Sequence, residues 1–102
     1  MFVVRRIFKV KKGTARQACE LLTQLGSMYE QAGQRKPSRI YYSGSTTPGP
    51  ADTVYMEWIE EELRSAYRAD NPSPAGEDDL FGKLGKLQEE SWIEFYEHYS
   101  GG

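Results

Sequence analysis

One cysteine, one histidine and no apolar run approaching the roughly 20 residues of a membrane span are the first shortages in this sequence, and each closes a class of function. Cys19 has no second thiol for a disulfide and no cysteine companions for a metal site, so the fold must rest on packing. It falls within an amphipathic helical pattern and reads as a buried structural thiol without chemistry. A lone His98 leaves any histidine-based metal or haem site to one side chain near the end of the sequence, and neither a metal nor a cofactor is expected. The CxxC, HExxH, GxxxxGK[ST] and GxGxxG spacings and a Ser-His-Asp order are all missing, so hydrolase, thiol-redox and phosphate-cradle chemistries have no motif behind them. Neither sign of charge dominates: thirteen basic against fifteen acidic residues leave a net charge of −2, which argues against nucleic acid as a partner. The opening Met1-Phe-Val-Val-Arg-Arg carries its arginines after the apolar residues and has no small-residue cleavage site, so it reads as a strand and not as a leader. The expectation is a soluble, cytoplasmic protein that is not bound to a membrane.

What is present is β-forming sequence of an unusual kind. Asp52 to Glu60 is dense in β-branched and aromatic residues, and neither parity is plainly polar: Val54, Met56 and Trp58 share one face, Tyr55, Glu57 and Ile59 the other. Such a strand predicts a central position in a sheet that needs two covers, helices on one side and, on the other, something else, such as a second copy of the chain. Phe2 to Lys11 has the same character, and its consecutive Arg5 and Arg6 must point to opposite faces, with Glu57 and Glu94 as candidate partners. Thr14 and Gln17 fit a capping box opening a helix whose Ala18, Leu21, Leu22, Leu25, Met28, Tyr29 and Ala32 form an apolar stripe ended by Gly33. Ser38 to Ser45 reads as a second strand with Gly44 as a possible bulge, joined to the third in an antiparallel hairpin. A short helix is expected over 61–68, a Pro/Gly-rich loop that could act as a lid over 69–76, and a helix from Glu77 to about Glu90, whose Gly82 and Gly85 would allow close packing. Ser91 to Tyr99 reads as a fourth strand, with an extension of the preceding helix as the alternative.

The order strand, helix, strand, strand, helix, strand is the split βαβ plan of a ferredoxin-like α+β domain: four antiparallel strands, both helices on one face, strands one and three central, all within a single domain over 1–102. The opening Val3-Val4-Arg5-Arg6-Ile7-Phe8-Lys9-Val10-Lys11-Lys12-Gly13 with its following helix, and the Val54-Tyr55-Met56-Glu57-Trp58 strand running into a helix, resemble the dimeric α+β barrel superfamily, which includes NIPSNAP-like and antibiotic-biosynthesis-monooxygenase-like domains. The resemblance implies a homodimer in which two sheets pack face to face and enclose a cavity, either between each sheet and its helices or at the sheet interface. Members of that superfamily include monooxygenases, haem-degrading enzymes, isomerases, dehydratases and proteins with no known activity, so fold does not decide function.

Polar and aromatic residues on strands supply the chemistry: Arg5, Arg6, Arg39, Tyr41, Tyr42, Tyr55, Glu57, Glu94, Tyr96 and His98. From these, Arg5, Tyr41, Tyr55, Glu57 and Glu94 are the expected lining of a pocket for a small organic ligand. Arginine would hold a carboxylate, tyrosines would donate hydrogen bonds, and a desolvated Glu57 or Glu94 would accept a proton. Three readings stay open at this level. The chain is a ligand-binding homodimer of uncertain activity, a cofactor-independent oxygenase or isomerase with Glu57 or His98 as proton acceptor, or an assembly module without catalysis.

Overall fold

The computed structural model describes residues 1–33, 36–44, 49–61 and 77–99. Six elements run β1 (Phe2–Val10), α1 (Ala15–Gln31), β2 (Arg39–Ser43), β3 (Thr53–Glu60), α2 (Glu77–Leu87) and β4 (Gln88–Glu97). The four strands form one sheet in the order β2-β3-β1-β4, every neighbouring pair antiparallel, which is the ferredoxin-like arrangement with β1 and β3 central. The expected helix over 61–68 and the loop over 69–76 lie outside the described residues.

Strand parity explains the core. Val4, Phe8 and Val10 of β1 lie in register beside Trp58 and Val54 of β3, and with Met56 they form the face that meets the helices. The helical repeat of α1 brings Ala18, Leu21, Leu22, Leu25 and Tyr29 down onto that face, and α2 adds Leu80 and Leu84. Each of the larger side chains gains about 1.5–3 kcal/mol on leaving water, so this single cluster is the main source of stability. Gly26 sits where α1 comes nearest the sheet: a Cβ there would meet Met56 Cε and Ser38 Oγ at 3.3 Å. A side chain at this point would require Met56 or Ser38 to shift by a few tenths of an ångström.

Several local expectations need correction. Thr14 does stand at the start of α1, but its side chain makes no capping bond; its Oγ1 donates to Lys11 O at 2.6 Å, closing the tight turn that Gly13 enters at φ +82°. β2 ends at Ser43 with an unbroken register, so Gly44 makes no bulge; the irregularity lies instead between Lys9 and Val10 on the β1–β4 ladder. α2 stops at Leu87, and Gln88, Glu89 and Glu90, good helix formers by themselves, belong to β4. Lys11 N donates to Leu87 O at 2.8 Å and Val10 pairs with Gln88, so the ladder with β1 overrides local propensity. At the other end His98 and Tyr99 fall beyond β4. Gly82 and Gly85 have open space where a Cβ would stand, and neither marks a close approach.

Candidate functional site

Among the described residues, no helix lies over the second face of the sheet. Val3, Arg5, Ile7 and Lys9 of β1 alternate onto this face, beside Thr53, Tyr55, Glu57 and Ile59 of β3, Arg39 and Tyr41 of β2, and Trp92, Glu94 and Tyr96 of β4. Four cross-strand rows result, the outermost holding Lys9 and Thr53. Arg39, Glu57, Arg5 and Glu94 stand in register across all four strands, so the charges alternate along the row. Tyr41, Tyr55, Ile7 and Trp92 make the next row on that face, two residues further along each strand, and Ile59, Val3 and Tyr96 flank the charges on the opposite side.

The polar groups are held laterally, within the plane of the face. Tyr41 stacks on Tyr55 with ring centroids 5.1 Å apart, and its hydroxyl donates to Glu57 Oε1 at 3.0 Å. Arg39 Nη1 lies 3.8 Å from Glu57 Oε2. The Arg5 guanidinium lies 4.4 Å from the Tyr55 ring centre, a cation–π contact, while its Nε is buried without a hydrogen-bond partner. Glu94 accepts from Tyr96 Oη at 2.6 Å and from Trp92 Nε1 at 3.1 Å.

These bonds decide the protonation behaviour. The hydrogen bonds from Tyr96 and then Trp92 hold the Glu94 carboxyl below the usual carboxylate range, opposed by some desolvation. This corrects the expectation of a carboxylate raised by desolvation at that position: hydrogen bonding to the charged form outweighs burial. Tyr96 is raised in turn because its proton is held by Glu94, and Tyr41 is raised first by burial and then by its bond to Glu57. Both hydroxyls therefore remain donors through the neutral range.

Two hollows open on this face. One of about 380 Å³ is lined by Arg5, Ile7, Lys9, Pro50, Thr53, Tyr55, Trp92, Glu94 and Tyr96. The other, about 470 Å³, is lined by Val3, Lys36, Pro37, Arg39, Glu57, Trp58, Ile59 and His98. Both volumes lie within the range of small-molecule pockets, about 300–1,000 Å³. Of the expected pocket residues, Arg5, Tyr55 and Glu94 line the first hollow and Glu57 the second, while Tyr41 is coupled to both Tyr55 and Glu57. Glu57 and His98, the two candidate proton acceptors, line the same hollow. Arg6 and Tyr42 separate from the group. Both fall on the helix side by register, and Arg6 lies over the Phe8 and Phe81 rings, so of the two consecutive arginines only Arg5 neighbours Glu57 and Glu94. The sequence reading had left out Ile7, Lys9 and Trp92 as lining residues. Ile7 and Lys9 share the parity of Arg5, and Trp92 that of Glu94, a signal sufficient to have included them.

Among the described residues no group of three or more His, Cys, Asp and Glu side chains could hold a metal ion, and no helix is long and apolar enough to cross a membrane.

With this geometry in hand, comparison with known proteins is informative about fold. No family model matches the sequence, and none of the curated proteins does. Solved structures do match in shape. A NIPSNAP domain protein from Burkholderia xenovorans superposes with a TM-score of 0.71 at 14% identity, covering 100% of this chain and 98% of that one. The chain has a ferredoxin-like fold. An antibiotic biosynthesis monooxygenase shares it, with a TM-score of 0.65, 11% identity and coverage of 97% of this chain and 99% of that one. A protein of unknown function from Bacteroides fragilis, described as dimeric and ferredoxin-like in fold, matches with a TM-score of 0.58 at 12% identity over 95% of this chain and 96% of that one. The ferredoxin-like fold of these structures thus accommodates this sequence from its first strand to its last.

Proposed function

We propose that the protein is a cytoplasmic homodimer, one domain per chain, that closes its open sheet face against a second copy and binds a small organic acid between them. The observation that carries this reading is the buried, unpartnered Nε of Arg5 beside a hollow walled by Tyr55 and Trp92. An orphan cationic donor at an aromatic wall suits a carboxylate on a flat, partly aromatic molecule, and Lys9 adds a second positive charge at the same hollow. Arg5, Tyr41, Tyr55, Glu57 and Glu94 form the site, with Glu94 fixing Trp92 and Tyr96 in place. The solved structure from Bacteroides fragilis that is dimeric supports the second copy, as do the half-exposed rings of Tyr41, Trp92 and Tyr96 on a face that no helix among the described residues covers.

The direction of the Glu94 shift speaks against Glu94 itself as a proton acceptor. A general base works best with its pKa near the operating pH, and Glu94 is moved away from that range.

Native mass spectrometry of the purified protein tests the reading, because it counts subunits and weighs any retained molecule. The expected result is a dimer of the 11.6 kDa chain with added mass in the range of a small organic acid. Titration with benzoate completes the test: saturable binding that Arg5→Ala abolishes supports the site. A dimer that neither retains a molecule nor binds benzoate would leave the assembly module as the better reading, and a monomer would remove the second copy altogether.

A further inference from the structure

The two cations of the smaller hollow stand at its opposite ends. Arg5 and Lys9 are four residues apart on β1, about 13 Å along the strand, with Ile7 midway between them. Neither holds a carboxylate among the described residues. Arg5 lies in register between Glu57 and Glu94, yet both acids are turned to other donors, Glu57 to Tyr41 and Arg39, and Glu94 to Tyr96 and Trp92. Lys9 has Glu90 beside it on β4, and no ion pair joins them. Resting on the organic-acid reading above, we propose that the ligand is a planar dicarboxylate, its ring lying over Ile7 and its two carboxylates held at opposite ends, one by Arg5 and one by Lys9.

The dimensions of the hollow select such a molecule. Side chains leave a sheet nearly at right angles, so the two charges keep roughly the spacing of their backbones. A six-membered ring with carboxylates at opposite corners is about 7 Å long between its outer oxygens, and a charge-assisted hydrogen bond of about 2.8 Å at each end fills the gap. The flexible four-carbon stem of Lys9 takes up the remainder. Tyr55 and Trp92 stand in register on either side of Ile7, their strands about 9–10 Å apart, which leaves room for one flat ring between apolar walls. The floor offers no competing polar atom. Ile7 and Thr53 are 2% and 1% exposed, and the Thr53 hydroxyl donates to Ala51 O at 2.9 Å. Glu94, the acid among the lining residues, has both oxygens engaged by Trp92 and Tyr96, so neither is left bare toward an anionic ligand.

Isothermal titration calorimetry of the full-length protein with benzoate, terephthalate and phthalate, at fixed ionic strength, tests the proposal. Terephthalate carries its carboxylates at opposite ends of the ring, phthalate carries the same charge on neighbouring carbons, and benzoate has a single carboxylate. Terephthalate should bind at least about tenfold more tightly than benzoate, well beyond the roughly twofold that two equivalent ends give by counting alone. Phthalate should stay within about threefold of benzoate, because its second carboxylate cannot reach Lys9 while the first is on Arg5. In Lys9→Gln, with circular dichroism confirming the fold, the terephthalate-to-benzoate affinity ratio should fall to about two, and a general loss of binding would leave that ratio unchanged. Benzoate bound as tightly as terephthalate, equal gains for terephthalate and phthalate, or an unchanged ratio in Lys9→Gln would each overturn the second anchor while leaving the organic-acid site in place. If neither benzoate nor terephthalate binds, the organic-acid reading itself falls, and the dicarboxylate with it.

Discussion

The two faces of this sheet are built from the same strands and hold together by different means. On the helix side, Phe8, Val54 and Met56 are almost wholly buried beneath Leu22, Leu25 and Leu84, and cohesion comes from removing apolar surface from water. On the open side nothing among the described elements lies overhead, yet the side chains are fixed. Tyr41 lies on Tyr55, Arg5 lies over Tyr55, and Glu94 anchors Trp92 and Tyr96. Bonds running parallel to the sheet thus order the rings while leaving them half exposed. An ordered surface of that kind forfeits little conformational freedom on meeting a ligand or another copy, and that saving appears as affinity.

If the faces differ in this way, truncations on them should separate cleanly. Phe8→Ala, on the helix side, should cost about 3–5 kcal/mol and bring the protein close to unfolding, as measured by urea denaturation. Trp92→Ala, on the open side, should cost under about 1 kcal/mol at concentrations where copies are apart, while abolishing the rise of melting temperature with protein concentration that a dimer shows. Equal losses for the two variants in dilute solution would erase the distinction between a core face and a docking face.

A smaller effect concerns the helices that cover the first face. Gly82→Ala and Gly85→Ala should each raise stability by about 0.5–1 kcal/mol, because a new Cβ meets nothing and the unfolded chain loses freedom. Loss of stability at either position would mean that these glycines serve a close contact after all.

Much of the fold was open to inspection in the sequence, because periodicities of two and of 3.6 are local properties. The parity of Val54, Met56 and Trp58 and the stripe from Ala18 to Tyr29 needed no knowledge of the rest of the chain. The transfer of Gln88 to Glu90 from helix to strand was hidden, since it depends on pairing with a strand nearly eighty residues earlier. The open-face site was legible only by halves. Parity told which residues of each strand go together, but the row Arg39–Glu57–Arg5–Glu94 exists only once three separate registers are set, and a slip of one residue in any strand would dissolve it. Arg6 and Tyr42 are separated from Arg5 and Tyr41 by strand alternation alone, which needs no cross-strand register. Gly26, whose absent side chain lets α1 approach Met56, left no mark in the pattern beyond its position in a helix.

The open face should also respond to pH in a way that its apolar counterpart cannot. Glu94 has a folded-state pKa below its ordinary value of 4.5, so its contribution to stability is present above that value and is lost as pH falls through the lower, folded one. Tyr96 has the opposite displacement, above its ordinary value of 10.0, so its contribution is full below 10 and is lost as pH rises through the higher, folded one. One hydrogen bond joins the two residues, and with the separate bond from Trp92 Nε1 to Glu94 it holds both rings in place across the whole interval between these limits. Carboxyl-carbon NMR should find the Glu94 midpoint below 4.5, and Tyr96→Phe should move it upward only part of the way, because the bond from Trp92 Nε1 remains. A midpoint in the unaltered protein at or above 4.5 would mean that Glu94 does not accept both bonds, and the open face would then lose the lateral bracing that sets it apart from an ordinary solvent face.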